Sequence, residues 1–260
     1  MRIGFFDSGI GGITVLHQAL KYLPNEDYIF YADTSHVPYG EKPKEEVRDY
    51  IFRAADFMAN QGVKALVIAC NTATSIAVDD LRKKYDFPIL GIEPAVKPAV
   101  QSCKGKRKKV LVLATSLTLK EEKFHNLVKS IDHHDIVESL PLPGLVEFAE
   151  SFEFREEVVV PYLREKVSAL DLEQYGTIVL GCTHFPYFEN SVREIFPEKV
   201  DIISGSVGTA KNLKRILEAR NQINDGTGDI VYFQSGSKVV DKETLVSYKK
   251  LMGRLDELEL

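Results

Sequence analysis

Leu66-Val67-Ile68-Ala69-Cys70-Asn71-Thr72 and Ile178-Val179-Leu180-Gly181-Cys182-Thr183-His184 are the two stretches on which the reading of this chain turns. Each is an apolar run, a small residue, a cysteine and then two polar residues. Continuous Val- and Ile-rich runs suit strands buried on both faces of a parallel sheet. Working outward, similar runs occupy residues 3–6, 28–31, 65–69 and 89–92, and again 110–114, 136–140, 178–181 and 202–203. Amphipathic segments at 45–60, 75–85, 121–129, 158–170 and 207–219 predict helices between them. Strand–helix alternation predicts an α/β fold with parallel sheets covered on both faces. The matched cysteine segments divide it into two related halves, with a boundary between Pro94 and Pro98. Residues 230–236 and 241–253 predict a last strand and helix that return to the first half. The expected division is residues 1–95 plus about 210–260, and about 96–209.

Ligands of open α/β sheets bind beyond the carboxyl ends of the strands. Four such ends carry polar or reactive residues: Asp7-Ser8-Gly9, Cys70-Asn71-Thr72, Thr115-Ser116-Leu117-Thr118 and Cys182-Thr183-His184. Free cysteine is often a small buried apolar residue, and Cys103 is read that way, in a loop. Cys70 and Cys182 differ, because both sit among hydroxyl, amide or imidazole groups where a thiolate can form. Two opposed thiols suit inversion of a stereocentre: one takes a proton from one face, the other returns one to the opposite face. Groups with pKa near working pH do this best, and a thiol starts at about 8.5. His184 is a candidate proton carrier. Asp7 could orient a thiol, accept its proton, bind an ammonium, or only cap a helix. Gly9, Gly11 and Gly12 mark a tight turn and lack dinucleotide-fingerprint spacing. Asn71, Thr72 and Thr183 offer donors for a carboxylate, and Pro38-Tyr39-Gly40 reads as a turn.

Bulk composition excludes several classes. A net charge of −5 gives no reason to expect nucleic acid or an acidic membrane as partner. Lys104 to Lys109, the most basic run, reads as a solvated loop. No apolar run is long enough for a membrane span, and Asp7 comes too early for a signal peptide. A cytoplasmic protein is expected. Three separated cysteines and no C-x-x-C give no disulfide framework, and the histidines lack zinc spacing. Neither metal nor cofactor is expected.

Asp7-Ser8-Gly9-Ile10-Gly11-Gly12, Tyr31-Ala32-Asp33 with Pro38-Tyr39-Gly40, Ala69-Cys70-Asn71-Thr72-Ala73, and Gly181-Cys182-Thr183-His184-Phe185-Pro186 together resemble glutamate racemase, in order and over nearly the whole chain. The shorter Cys-Asn-Thr and Gly-Cys-Thr-His segments are shared with the wider aspartate/glutamate racemase superfamily. The resemblance implies two flavodoxin-like domains related by pseudo-symmetry, with the active site between them. It implies interconversion of L- and D-glutamate without pyridoxal phosphate, supplying D-glutamate for peptidoglycan. Cys70 and Cys182 would be the catalytic bases, assisted by Asp7 and His184. Ser8, Pro38, Tyr39, Gly40, Asn71, Thr72, Thr115, Thr118 and Thr183 would bind substrate. By the same resemblance the segment ending Leu145-Val146-Glu147 makes Glu147 a further catalytic candidate. The expected partners are glutamate and a second copy of the chain, as a homodimer. The sequence departs from the family at Glu121 and Phe124, where serine and tyrosine are usual, and at Phe148-Ala149-Glu150.

Three other readings compete. A superfamily relative acting on aspartate or another diacid could use one cysteine only. A cysteine hydrolase built on Cys182 and His184 leaves Cys70 unexplained. A two-lobed binding protein would hold glutamate without turnover.

Overall fold

The computed structural model describes residues 1–258. The first lobe runs β1 (Ile3–Asp7), α1 (Ile13–Tyr22), β2 (Tyr28–Ala32), α2 (Lys44–Asn60), β3 (Ala65–Ile68), α3 (Asn71–Lys84) and β4 (Ile89–Gly91). The second begins with α4 (Val96–Cys103), β5 (Lys109–Ala114), α5 (Ser116–Lys120), α6 (Glu122–Ile131), β6 (Val137–Pro141) and α7 (Gly144–Glu150). It continues through α8 (Glu156–Val167), β7 (Tyr175–Leu180), α9 (Glu189–Ile195) and β8 (Asp201–Ser204). The chain then returns through α10 (Ser206–Ala219), β9 (Ile230–Gln234), β10 (Ser237–Lys238) and α11 (Lys242–Glu257).

Both sheets follow one plan. The order is β10-β9-β2-β1-β3-β4 in one and β6-β5-β7-β8 in the other. Setting aside β9 and β10, each sheet orders its own strands second, first, third, fourth, as flavodoxin-like sheets do. Every pairing is parallel except β10 with β9. The correspondence extends to single hydrogen bonds. Ala69 N–H donates to Phe6 O at 2.7 Å, and Gly181 N–H donates to Leu113 O at 2.7 Å. The residue before each cysteine is thus tied to the neighbouring first strand of its own sheet.

Several elements differ from the sequence expectation. Helix α1 is absent from the sequence expectation although Thr14, His17, Gln18 and Lys21 recur at helical spacing; in the structure Ile13 to Ala19 are all buried. Helix α3 starts at Asn71, directly after Cys70, rather than at Ser75. Cys103 is the buried last residue of α4, not a loop residue. Residues 104–107 form the exposed turn read from their charge. β9 pairs with β2, and α10 packs along α1. We propose that the return crossing lies at Gly205, ahead of α10, rather than near residue 210. A Cβ on Gly205 would lie 2.5 Å from Glu93 O, so the two interlobe crossings touch there.

One hydrophobic core serves both lobes. It joins Phe5, Ile13 and Leu16 of the first to Leu145, Leu180 and Phe188 of the second. The returning segment is pinned by a buried ion pair. Lys64 Nζ lies 2.6 Å from Glu26 Oε2, with side chains only 3% and 1% exposed. Lys64 also donates to Gln222 O, and Asn224 N–H donates to Glu26. Breaking a buried pair by removing one partner strands the other charge. Lys64→Ala is expected to destabilise the protein by about 3–5 kcal/mol, read from urea unfolding midpoints. A loss below about 1 kcal/mol would show that the pair does not pin the fold.

Candidate active site between the two sheets

The strand ends of both sheets face one another, and contacts across the gap are close. Asp7, at the end of β1, accepts Gly9 N–H at 2.9 Å through Oδ1. Its Oδ2 accepts the Thr183 hydroxyl of the opposite lobe at 3.0 Å. Thr72, in the first turn of α3, lies 3.0 Å from both the Thr115 and Thr118 hydroxyls across the gap. Close approach here needs glycine. A Cβ on Gly11 would stand 2.5 Å from His184 Nδ1 and Thr183 Oγ1, and one on Gly40 would stand 2.6 Å from Thr115 Cβ.

Cys70 occupies the N-cap of α3, and its sulfur accepts Ala73 N–H at 3.4 Å. The Ser8 hydroxyl lies 3.8 Å away. A helix N-terminus favours negative charge, but burial wins. Desolvation, reinforced by the Asp7 charge and the Cys182 sulfur, pushes the Cys70 thiol up to about 12. Burial likewise raises Asp7, against the pull of His184, Gly9 N–H and Thr183.

Cys182 follows β7 and is nearly as buried as Cys70. Its sulfur is 3.7 Å from His184 Nδ1. His184 Nε2 is 2.6 Å from Glu150 Oε1. Burial opposes a charge on His184. Hydrogen bonds and charges from Cys182 and Glu150 outweigh it, so the pKa of His184 stands well above its ordinary value. Glu150 Oε1 also accepts Ile10 N–H of the first lobe at 2.9 Å.

The carboxylate beside His184 is therefore Glu150, not Glu147. In α7 the residues Leu145, Val146 and Ala149 face inward, which turns Glu147 out to solvent and brings Glu150 to the site. Helical spacing from Val146 puts Glu150 on the inward face, but which face turns inward is set only when α7 docks.

The other candidates lie around this centre. Tyr39 and Gly40 are buried in a short 3-10 turn after half-buried Pro38. The Tyr39 hydroxyl donates to Asp33 Oδ2 at 2.6 Å, and burial followed by the Asp33 charge holds its pKa far above normal. Asn71 is buried at the start of α3. Glu121 is buried and pairs with Lys44 of the opposite lobe at 2.7 Å, and Phe124 sits in a small core with Cys103. Among the described residues, no group of three or more His, Cys, Asp or Glu side chains could hold a metal ion. Nor is any helix there long and apolar enough to cross a membrane.

Two doubly related α/β lobes with a cysteine at the end of each third strand define a class. Residues 14–211 match the Asp/Glu/Hydantoin racemase family, and the chain belongs to that family. Within it, the chain is 65% identical over 259 residues to glutamate racemase 2 of Bacillus subtilis, covering 100% of this chain and 98% of that one. It is 55% identical over 254 residues to glutamate racemase of Halothermothrix orenii, covering 97% and 99%. Among solved structures, glutamate racemase of Francisella tularensis in complex with D-glutamate matches with TM-score 0.83 and 26% identity, over 97% of this chain and 93% of that one. The Thermus thermophilus enzyme in complex with β-chloro-D-alanine matches with TM-score 0.78 and 31% identity, over 98% and 92%.

The raised His184 pKa makes a prediction with a definite sign. A folded-state pKa above the unfolded value of about 6.5 contributes stability fully present below that value. The contribution is lost as pH rises through the folded pKa. Glu150→Gln removes one charge that holds the proton, so the His184 titration should move down and the stability gain at low pH should shrink. Histidine-resolved NMR titration measures the first and unfolding across pH the second. An unmoved His184 midpoint would contradict the Glu150 pairing.

Proposed function

We propose that this chain is a glutamate racemase, an isomerase that interconverts L- and D-glutamate using Cys70 and Cys182 as opposed acid/base thiols. The observation that carries the reading is the matched placement of the two cysteines, each two residues past the third strand of its own sheet. In each direction one sulfur, as thiolate, takes the α-proton. The electron pair left on the α-carbon delocalises into the carboxylate, and the other thiol donates its proton to the opposite face. The first sulfur ends as thiol and the second as thiolate.

The surroundings suit this division. The imidazole of His184, its pKa raised despite burial by Cys182 and Glu150, would pair as a cation with a thiolate formed at Cys182 during turnover. On the other side Cys70 and Asp7 are both pushed up by burial. The substrate's ammonium would bring the opposing charge that both need. Thr72, Thr115, Thr118, Thr183 and Asn71 offer hydroxyl and amide donors to the two carboxylates, with Ser8 and the Pro38-Tyr39-Gly40 turn on the Cys70 side. The full-length likeness to glutamate racemases supports glutamate over aspartate. D-Glutamate for peptidoglycan, a cytoplasmic location and a homodimer complete the reading.

Incubation of the purified, cofactor-free protein with each glutamate enantiomer in deuterated water, followed by chiral analysis, tests the activity. Both enantiomers should form, with deuterium at the α-carbon of product. Binding without exchange would leave a two-lobed binding protein instead. The thiol roles are tested separately. Cys70→Ser and Cys182→Ser should both lose racemisation, because serine is a far weaker acid than a thiol. Each should still eliminate chloride from one enantiomer of β-chloroalanine, since elimination needs only one base, and the two should prefer opposite enantiomers. Retention of the same handedness by both variants would sink the two-thiol assignment.

A further inference from the structure

Helix α11 belongs by sequence to the strand pair that extends the first sheet, yet its last turn reaches the other lobe. Arg254 Nε–H donates to Tyr187 O at 3.0 Å. Its guanidinium carbon lies 4.6 Å over the Phe154 ring, and that ring packs against Tyr187 and Phe188. Two residues on, Asp256 Oδ1 lies 2.7 Å from Nε2 of His17, a buried residue of α1. One helical turn thus grips the first lobe through Asp256 and the second through Arg254.

The gripped turn is the one that carries His184. Residues Phe185–Phe188 form a 3-10 turn capped by His184, and Tyr187 N–H donates to His184 O at 3.3 Å. The Tyr187 hydroxyl donates to Ile10 O at 3.0 Å. Ile10 in turn donates its N–H to Glu150, which holds His184. Arg254 therefore sits at the back of a short, continuous set of contacts that ends on the Cys182 sulfur. Arginine suits the position, since its planar fork both donates through Nε and stacks on an aromatic face, which lysine does not reproduce. Cys70 is held otherwise, by Ala73 N–H and the Ser8 hydroxyl.

We propose that Arg254 is a positioning residue for one of the two acid/base groups: it fixes the turn that aims His184 at Cys182 and leaves Cys70 untouched. The inference rests on the two-thiol reading above. It makes the C-terminal helix part of the catalytic apparatus on one face of the substrate only.

Racemisation rates hide such one-sidedness, because each turnover uses both sulfurs. Elimination from β-chloroalanine exposes it: the α-proton goes to a single thiolate, the C–Cl electron pair leaves as chloride, and 2-aminoacrylate forms. The enantiomer still eliminated by Cys70→Ser reports Cys182, and the one still eliminated by Cys182→Ser reports Cys70. Arg254→Ala, with both cysteines intact, should slow the Cys182-dependent enantiomer by about ten- to a hundredfold, the range for a small misplacement of a catalytic group. The Cys70-dependent enantiomer should stay near the parent rate. Equal slowing of both enantiomers, or none, overturns the proposal. If Arg254→Ala does not fold, Phe154→Leu removes the ring beneath the guanidinium, and its enantiomer ratio decides in the same way. If the two serine variants lack opposite handedness, the two-thiol reading fails first and this inference falls with it. If they show it and the ratio does not move, only the role of Arg254 is lost.

Discussion

His184 holds two partners at once, and one of them is anchored in the other lobe. Nδ1 faces the Cys182 sulfur, Nε2 faces Glu150, and the same Glu150 oxygen accepts the Ile10 amide. A single carboxylate oxygen therefore sets the imidazole of one lobe against the backbone of the other. A carboxylate away from water is costly unless its oxygens are bonded. The contact between the lobes and the pairing of His184 thus share one atom, and the glycine at Gly11 lets the surfaces come close enough for both.

The pseudo-symmetry of the lobes is kept in the backbone and broken in the chemistry. Phe6 corresponds to Leu113 and Cys70 to Cys182 through their matched hydrogen bonds. In that register Asp7 falls opposite Ala114, and Thr72 opposite His184. Asp7 and His184 thus each occur in one lobe only. Asp7 then reaches across to Thr183, so the carboxylate of the first lobe braces the cysteine turn of the second. A planar intermediate between the sulfurs would meet a helix N-terminus and a hydroxyl on one face, and an imidazolium on the other. One backbone plan used twice supplies opposed positions, while the differing side chains let the two positions be tuned apart.

The parts legible in the sequence were those set by short, strong patterns. Buried parallel strands announce themselves as apolar runs, and polar residues stand out when they follow such runs directly. Cys70, Cys182, Asp7 and the threonines stand out for that reason. Helix α1 carries polar residues at helical spacing, Thr14, His17, Gln18 and Lys21, but the first three are buried, so the spacing does not mark a solvated face. The start of α3 was missed because cysteine is not among the usual N-caps, so Asn71 and Thr72 looked like loop. Glu150, which lies beside His184 in the structure, does not stand out because Glu147 completes a familiar motif. Only the inward face formed by Leu145, Val146 and Ala149 distinguishes the two glutamates, and that face becomes decisive only once α7 is docked. Arg254 could not be found at all from sequence. Its relation to Tyr187 depends on a helix that crosses back over both lobes.

The electrostatics of the closed interior explain why a buried thiol with a high pKa is compatible with a role as a base. The groups that raise the Cys70 pKa, besides burial, are the Asp7 charge and the Cys182 sulfur, and they oppose a thiolate there. An α-amino acid entering between them carries an ammonium. Its attraction for a nearby anion is strongest where water has been excluded. On the two-thiol reading, the pKa that governs proton transfer is that of the complex, not of the free protein. On that reading the substrate's charge lowers the cost of a thiolate at the moment one is needed, and it offsets the negative charge that develops at the α-carbon and carboxylate. An interior poor in permanent cations on the Cys70 side would then keep that sulfur protonated and unreactive until a substrate bearing its own cation arrives.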